Sequence, residues 1–216
     1  MMRPLVKVCG VTRLEDAQAA VQAGASAIGF VLVPSSPRCV SAEKAHAIAS
    51  ELPNGIARVG VVIGCDPDEV RSLVRSIGLS AIQAHGDETA EECRAYGLPV
   101  VKAVTAGTDF DVASLAPYRE FPVLLDGSSL TARGGTGKTA NWTGARAARD
   151  AGYRVLLAGG LAADNVLEAA RQVEPEAVDL NSGVETSPGI KDAERIRQAI
   201  DRLSALDPPE EMIWPW

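Results

Sequence analysis

The sequence lacks the features that identify membrane, metal-binding and disulfide-stabilised proteins. No apolar run approaches the roughly 20 residues that cross a bilayer, and residues 1–10 have no apolar core or cleavage site of a signal peptide. The four cysteines, Cys9, Cys39, Cys65 and Cys93, form no CxxC pair and have no histidine at metal-ligand spacing. We therefore expect a cytoplasmic protein with neither a disulfide framework nor a metal ion.

Positive charge is also scarce. There are 21 lysines and arginines against 28 aspartates and glutamates, which gives a formal net charge of -7. An acidic surface repels nucleic-acid phosphates and anionic membranes, so neither is expected as a partner. A small anionic ligand stays compatible, because a pocket can be locally positive. Hydrophobic residues make up 46% of the 216 residues, which is enough for one well-buried core.

The glycine-rich nucleotide motifs are absent. The turn after the first apolar run reads Cys9-Gly-Val-Thr-Arg rather than G-x-G-x-x-G. Arg133-Gly-Gly-Thr-Gly-Lys-Thr approaches a phosphate loop, but Ala132 stands where G-x-x-x-x-G-K-[ST] requires its first glycine. An ATPase or GTPase is therefore disfavoured, and we expect this segment to form a mobile lid.

A repeated unit dominates what is present: a short apolar run, a turn and an amphipathic stretch. The eight runs are Leu5–Cys9, Ala27–Val31, Ala57–Ile63, Ala81–Ala84, Val100–Val104, Val123–Asp126, Arg154–Ala158 and Ala177–Leu180. Helices are expected to start at Thr12 (a capping box with Glu15), Ser41, Asp66, Asp87 or Glu88, Asp109, Asn141 and Asp164, with the last over 191–203. The fifth helix, around 110–117, has the weakest signal.

Strands that alternate with helices predict parallel strands with helical crossovers. Eight units within residues 1–206 favour a single α/β domain, a (β/α)8 TIM barrel, with a doubly wound open sheet as the alternative. The tail 207–216 contains three prolines and does not continue the pattern. We expect it to pack on its own barrel, and a partner contact or a loose tail are the alternatives.

Polar side chains cluster at the ends of the predicted strands, where barrel sites lie. Alternation along each strand points Lys7, Cys9, Gln83, His85, Asp126, Asp179 and Asn181 inward. Strands 1 and 8 are neighbours in a closed barrel, and a buried lysine needs a counter-charge. We therefore expect Lys7 and Asp179 to meet.

Three positions near these strand ends each have an ordinary and a chemical interpretation. Cys9 is either an inert buried thiol or a base whose pKa is lowered by the nearby Lys7. Asp126 either caps a turn or exchanges a proton with a ligand. Arg38, after the second run, is either a surface residue or a clamp for a carboxylate.

Glycine-containing turns follow the seventh and eighth runs, reading Ala158-Gly-Gly-Leu and Asn181-Ser-Gly-Val-Glu. Glycines let backbone N–H groups approach phosphate oxygens, and barrel enzymes often bind phosphate at these two turns. Gly159, Gly160, Ser182 and Gly183 are therefore candidate phosphate ligands.

Taken in order, these segments resemble the phosphoribosylanthranilate isomerase family of tryptophan biosynthesis. The matching segments are Lys7-Val-Cys-Gly, Ser36-Pro-Arg, Gln83-Ala-His-Gly-Asp-Glu, Leu124-Leu-Asp, Gly134-Gly-Thr-Gly, Leu157-Ala-Gly-Gly-Leu with Asn165-Val, and Asp179-Leu-Asn-Ser-Gly-Val-Glu with Gly189-Ile-Lys-Asp. They span residues 7–192. The sequence departs from the family pattern at Ala84, at Asn181 and in Thr139-Ala-Asn-Trp.

The resemblance implies an Amadori rearrangement of N-(5-phosphoribosyl)anthranilate to 1-(2-carboxyphenylamino)-1-deoxyribulose 5-phosphate, without metal or organic cofactor. It makes Asp126 the general acid at the furanose ring oxygen and Cys9 the base at C2′. It assigns Arg38 to the anthranilate carboxylate, and Gln83, His85 and Asp179 to substrate binding. A monomer or a homodimer is compatible with the sequence.

Two alternatives remain open. The first is the sister isomerase of histidine biosynthesis, whose family resembles a design with two aspartates; Cys9 argues against it. The second is a barrel that only binds a phosphorylated ligand, and the presence of Cys9, Asp126 and Arg38 argues against that.

Overall fold

Eight parallel strands form a closed barrel in the order β1-β2-β3-β4-β5-β6-β7-β8. The computed structural model describes residues 1–107, 109–127, 142–208 and Trp214. The strands are β1 (Leu5–Val8), β2 (Ala27–Val31), β3 (Ala57–Val62), β4 (Ala81–Ala84), β5 (Val100–Thr105), β6 (Val123–Asp126), β7 (Val155–Ala158) and β8 (Ala177–Leu180). Strand β1 pairs with both β2 and β8, which confirms the closed barrel and excludes the open sheet.

Helices connect the strands on the outside of the barrel. They are α1 (Leu14–Ala23), α2 (Ala42–Ser50), α3 (Pro67–Ile77), α4 (Ala90–Ala95), α5 (Trp142–Asp150), α6 (Val166–Val173) and α7 (Ala193–Leu203). The connection between β5 and β6 is a 3-10 helix, Val112–Tyr118, with Pro117 inside it. This is the segment with the weakest helical signal. After β8 come a 3-10 turn, Ser182–Val184, and a small hairpin of β9 (Glu185–Ser187) and β10 (Ile190–Lys191).

The predicted helix starts are correct at positions where the side chain is free to cap the helix. Ser41 accepts a hydrogen bond from the backbone of Lys44, and Asp66 caps α3 just before Pro67. The last three α-helices start within about two residues of expectation, after residue 141, Asn165 and Asp192. Asn141 itself and the expected lid over 133–139 lie outside the described residues.

Three predicted caps are wrong, two of them because tertiary interactions take the side chains. The hydroxyl of Thr12 donates to the carbonyl of Gly189, so Arg13 occupies the N-cap of α1 without a side-chain bond. Glu88 is buried, and Thr89 caps α4 in a capping box with Glu92. The 3-10 helix after β5 is capped by Asp111 rather than Asp109.

Glu88 instead joins the loops that follow β3 and β4. Its carboxylate accepts hydrogen bonds from the backbone N–H groups of Gly64 (2.7 Å) and Gly86 (2.8 Å) and from the ammonium of Lys102 (3.1 Å). Burial opposes ionisation of Glu88, but these hydrogen bonds outweigh it and lower its pKa. The buried ion pair of Glu88 and Lys102 therefore anchors the loops that follow β3 and β4, beside the open end of the barrel.

Apolar side chains fill the barrel interior from the N-terminal ends of the strands up to the cavity. They form one cluster: Leu5, Ala27, Ala57, Val59, Ala81, Val101, Ala103, Leu124, Leu156, Ala158, Ala177 and Trp214. Trp214 lies at the N-terminal end of the strands, where its indole N–H donates to the carbonyl of Ser26 at 3.0 Å. At this residue the tail packs on its own barrel. A larger cluster fills the space between strands and helices.

Within the described parts of the chain, no helix combines the length and the apolar character that crossing a membrane requires.

Candidate active site

A cavity of about 440 Å³ opens at the carboxyl ends of the barrel strands. That volume is typical of a site for a small ligand. Its lining contains every predicted site residue except Gly183: Cys9, Arg38, Gln83, His85, Asp126, Gly159, Gly160, Asp179 and Ser182. The structure therefore brings these predicted residues together around one cavity at the carboxyl ends of the strands, where barrel sites lie.

Cys9 and Asp126 face the cavity from opposite sides. Cys9 follows the last residue of β1, and Asp126 ends β6, which lies beyond β8 and β7 in the sheet order. Cys9 is buried and Asp126 is half-buried. A ligand ring held between these two strands would have a thiol on one side and a carboxyl group on the other.

The expected pair of Lys7 and Asp179 is present. The two residues are direct partners in the β1–β8 register, and Lys7 Nζ lies 2.8 Å from Asp179 Oδ2. Both side chains are almost fully buried, at 1% and 6% exposure. Burial alone would disfavour the charged lysine, but Asp179 outweighs it and raises the pKa of Lys7.

This pairing overturns one expectation about Cys9. Burial, followed by the negative charge of Asp179, raises the pKa of the Cys9 thiol, and Lys7 does not compensate. Lys7 does lower this pKa, as expected, but burial and the charge of Asp179 raise it by more, so the expected net lowering does not occur. At neutral pH the resting Cys9 is therefore predominantly a thiol.

Gly29, on β2, makes room for this group of side chains. A Cβ atom at Gly29 would lie 2.8 Å from Cys9 Sγ and 3.1 Å from Lys7 Cε. Sequence reasoning missed Gly29, since a glycine inside a strand signals a close approach without naming what approaches.

Gln83 and His85 form a hydrogen-bonded pair at the end of β4. Gln83 Nε2 lies 2.7 Å from His85 Nδ1, so Nδ1 is the acceptor and the ring proton sits on Nε2. Burial lowers the pKa of His85, which keeps the ring neutral.

Two buried acceptor atoms on the cavity lining have no partner among the described residues: Gln83 Oε1 and Asp179 Oδ1. Buried polar atoms are nearly always hydrogen-bonded in native proteins. These two are therefore suited to accept hydrogen bonds from ligand hydroxyl or amine groups.

The turns after β7 and β8 present backbone donors to the cavity. Among the described residues, none accepts a hydrogen bond from the backbone N–H groups of Gly159, Gly160, Ser182 or Gly183. Gly159 and Gly160 both have positive φ, at 97° and 65°. Gly183 is packed against the other turn: a Cβ there would collide with the carbonyl oxygen of Leu161. Its missing side chain lets the two turns approach each other.

Arg38 reaches the cavity from the loop after β2 and binds Glu185. Its Nε and Nη2 donate to the two carboxylate oxygens, at 2.9 and 2.7 Å. Lys191 donates to the same carboxylate at 2.9 Å. Burial opposes ionisation of Glu185, but the bonds from Arg38 and Lys191 outweigh it and lower its pKa. Sequence reasoning missed Glu185 and Lys191, although both lie in segments that it quoted.

Among the described residues, no group of three or more His, Cys, Asp or Glu side chains is placed to hold a metal ion.

Comparison with known proteins identifies the family. Residues 6–202 match the family described as N-(5'phosphoribosyl)anthranilate (PRA) isomerase. The chain is 46% identical over 195 residues to the N-(5'-phosphoribosyl)anthranilate isomerase of Trichlorobacter lovleyi, which covers 90% of this chain and 95% of that protein. It is 42% identical over 203 residues to that of Thermotoga maritima, covering 93% and 98%.

Solved structures agree with this assignment. The crystal structure of the Thermotoga maritima phosphoribosyl anthranilate isomerase has a TM-score of 0.87 and 41% identity, and covers 94% of this chain and all of that one. A phosphoribosyl anthranilate isomerase in complex with reduced 1-(o-carboxyphenylamino)-1-deoxyribulose 5-phosphate has a TM-score of 0.84 and 40% identity, with the same coverage. The fold, the site and these relatives together place the chain in the N-(5'-phosphoribosyl)anthranilate isomerase family.

Proposed function

We propose that this chain carries out its family's reaction in tryptophan biosynthesis by general acid–base catalysis, with Asp126 as the acid and Cys9 as the base. The observation that carries the mechanism is the placement of one thiol and one carboxyl group on opposite sides of a single cavity. The substrate is N-(5'-phosphoribosyl)anthranilate and the product is 1-(2-carboxyphenylamino)-1-deoxyribulose 5-phosphate.

The polarity of the lining orients the substrate. The phosphate binds the free N–H groups of the turns after β7 and β8, through Gly159, Gly160, Ser182 and Gly183. Four apolar side chains from β2, β3 and the loops after them line the same cavity as Arg38: Val31, Val33, Val61 and Ile63. They suit an aromatic ring whose carboxylate is bound by Arg38. The ribose then lies between Cys9 and Asp126.

The chemistry follows from that orientation. Asp126 donates a proton to the furanose ring oxygen, the C1′–O bond breaks, and the anthranilate nitrogen stabilises C1′ as a Schiff base. Cys9, in the thiolate form that is its minor form at rest, removes the proton from C2′, which gives an enolamine. Tautomerisation places a proton on C1′ and releases the one on the C2′ oxygen, so the overall reaction is an isomerisation without net gain or loss of protons.

The cavity's unpartnered groups complete the binding. Gln83 Oε1 and Asp179 Oδ1 accept hydrogen bonds from the sugar hydroxyls or the bridging amine, and the Nε2–H of His85 donates. These contacts hold the sugar while its ring opens. Their loss would be felt mainly in substrate positioning.

Several broader expectations belong to the same proposal. The enzyme works in the cytoplasm, without metal or organic cofactor, and as a monomer or homodimer, with a barrel domain over 1–206 and a tail over 207–216. The Thermotoga maritima relative is described as a dimeric phosphoribosylanthranilate isomerase from which monomers were generated. No nucleic acid or membrane partner is expected.

The test is turnover of phosphoribosylanthranilate generated in situ, followed by loss of its fluorescence without added metal. Cys9→Ser and Asp126→Asn should each lower kcat by at least about 10²-fold, the range for loss of a general acid or base. Cys65→Ser, at a half-buried cysteine outside the cavity, is the matched control and should retain wild-type activity.

Each contrary result points to one part of the proposal. No turnover by folded wild type would overturn the activity and favour the barrel that only binds a phosphorylated ligand. Turnover that survives both substitutions would keep the reaction and discard the assignment of acid and base.

A further inference from the structure

Glu185 holds one edge of the Arg38 guanidinium. Nε donates to Oε1 at 2.9 Å and Nη2 to Oε2 at 2.7 Å, which is a two-pronged, charge-assisted pairing. The Glu185 side chain is 4% exposed, whereas that of Arg38 is 20% exposed and lines the cavity. The carboxylate thus lies behind the guanidinium, on the side away from solvent.

The pairing leaves the other edge of the guanidinium available. A guanidinium carries five N–H groups in a planar fork. Glu185 uses the edge formed by Nε and Nη2, and no described residue accepts a hydrogen bond from Nη1. The edge formed by Nη1 and Nη2 has the geometry for a second carboxylate. Because the fork is planar, fixing one edge also fixes the direction of the other.

Lys191 in turn fixes Glu185. Its fully buried ammonium lies 2.9 Å from Glu185 Oε1 and 2.9 Å from Asn181 Oδ1. The backbone N–H of Gly189 donates to the Glu185 carboxylate at 3.1 Å, which closes the β9–β10 hairpin on it. The Glu185 carboxylate therefore has little freedom to follow Arg38 if that side chain moves.

The charges of the cluster are unequal. Arg38 and Lys191 contribute two positive charges and Glu185 contributes one negative charge, so the cluster carries an excess of one positive charge beside the cavity. Buried charge is stable only when it is matched. A ligand with one carboxylate, such as the anthranilate group, supplies the missing negative charge.

The backbone leaves room for the ion pair that Arg38 and Glu185 form between two loops. Arg38 comes from the loop after β2 and reaches Glu185 in the hairpin after β8 by crossing Gly10. A Cβ at Gly10 would lie 2.8 Å from Arg38 Cδ and 2.9 Å from Asn181 Oδ1, and Gly10 has φ of 69°. The chain thus has a glycine where the arginine must pass.

We propose that Glu185, held by Lys191, is a positioning residue that presents Arg38 to the substrate carboxylate. The inference rests on the carboxylate-binding role of Arg38 in the proposed function and adds two residues to it. Glu185 acts through Arg38, so its contribution exists only for ligands that carry the carboxylate. It should change KM much more than kcat, because the anthranilate carboxylate is remote from the bonds that break.

The experiment is a double-mutant cycle read by calorimetric binding of reduced 1-(o-carboxyphenylamino)-1-deoxyribulose 5-phosphate. Arg38→Met should weaken binding by about 10- to 100-fold, the range for loss of charged hydrogen bonds. Glu185→Gln should weaken it about 10-fold and raise KM with kcat changed less than about 3-fold. In the Arg38→Met background, Glu185→Gln should have no further effect.

A second ligand and two further variants keep the result interpretable. The same analogue without its carboxyl group should bind wild type and Glu185→Gln equally. Lys191→Met should reproduce the effect of Glu185→Gln, in case that variant folds poorly. Glu194→Gln, on the exposed face of α7, is the matched control and should bind as wild type does.

The failures are separable. Equal binding by wild type and Arg38→Met would overturn the carboxylate role in the proposed function, and with it this inference. Weak binding by Arg38→Met together with unchanged binding by Glu185→Gln and Lys191→Met would overturn the inference alone. Equal losses from Glu185→Gln in both backgrounds, or with the ligand that lacks the carboxyl group, would show a general structural role instead.

Discussion

Replacing Gly29 by alanine should damage both stability and turnover. The new Cβ would lie 2.8 Å from Cys9 Sγ, about 0.6 Å inside ordinary van der Waals contact, and 3.1 Å from Lys7 Cε. The thiol lines the cavity, so it has to shift into the space that a ligand would use, or the strands have to part. Overpacking of this kind costs about 1–3 kcal/mol.

The assay is urea unfolding together with steady-state turnover. We expect the free energy of unfolding to fall by about 2 kcal/mol, with a drop in Tm of roughly 4–8 °C for a chain of this size. We expect kcat to fall by about 10²-fold, because the base moves by a substantial part of an ångström relative to C2′. Gly107→Ala is the control: its Cβ would meet no atom of the described residues within 4 Å, so both quantities should stay at wild-type values.

A double-mutant cycle identifies the clash. In a Cys9→Ala background, Gly29→Ala should cost less than half as much stability, since the sulfur that it collides with is gone. The reasoning is refuted if Gly29→Ala matches wild type in stability and turnover. It is also refuted if the stability loss is the same in both backgrounds, because the collision would then lie elsewhere.

Three further predictions concern charged groups. Lys7→Met leaves the Asp179 carboxylate buried without its partner, so it should lower the free energy of unfolding, measured by urea titration, by about 3–5 kcal/mol. Adding Asp179→Leu should recover more than half of that loss. A loss below about 1 kcal/mol would contradict the pairing. Burial and Asp179 raise the pKa of Cys9, so the thiolate fraction should grow about tenfold per pH unit from pH 7 to beyond pH 9. The rate of alkylation by iodoacetamide, followed by peptide mass spectrometry, should rise by the same factor. A rate independent of pH would contradict a resting thiol. The folded state lowers the pKa of Glu88 through Gly64 and Lys102, so its contribution to stability is present above the unfolded pKa of about 4.3 and is lost as pH falls through the folded value. The stability gap between wild type and Glu88→Gln should therefore be full at pH 6 and should shrink as the pH falls below the unfolded pKa. A gap that is unchanged with pH would contradict this reasoning.

Residues on strands were predictable, because strand geometry has a period of two and barrel sites lie at one end. That rule alone placed Cys9, Gln83, Asp126 and Asp179 on the cavity lining and paired Lys7 with Asp179. The glycine turns after β7 and β8 were found for a similar reason, since their position in the repeat fixes which end of the barrel they reach.

Residues that act through loops were not predictable in the same way. Glu185 and Lys191 follow β8 in a hairpin whose side-chain directions no simple period describes, and their partner Arg38 is 147 positions away from Glu185. Thr12 was misread for a related reason: a local capping pattern competes with a distant carbonyl, and the distant carbonyl wins. The pKa of Cys9 depends mainly on burial and on the charge of Asp179, neither of which its spacing from Lys7 reveals.

Trp214 occupies one end of the barrel interior, which makes that end different from the end that bears the cavity. The indole occupies the apolar N-terminal end, against the residues that begin β1, β2, β3 and β8, and is 7% exposed. Because the indole is covalently attached, its local concentration at that end is set by the chain rather than by the composition of the solution. Free aromatic molecules therefore face a covalently attached competitor at that end, whereas the cavity that bears Cys9 and Asp126 lies at the opposite end of the strands.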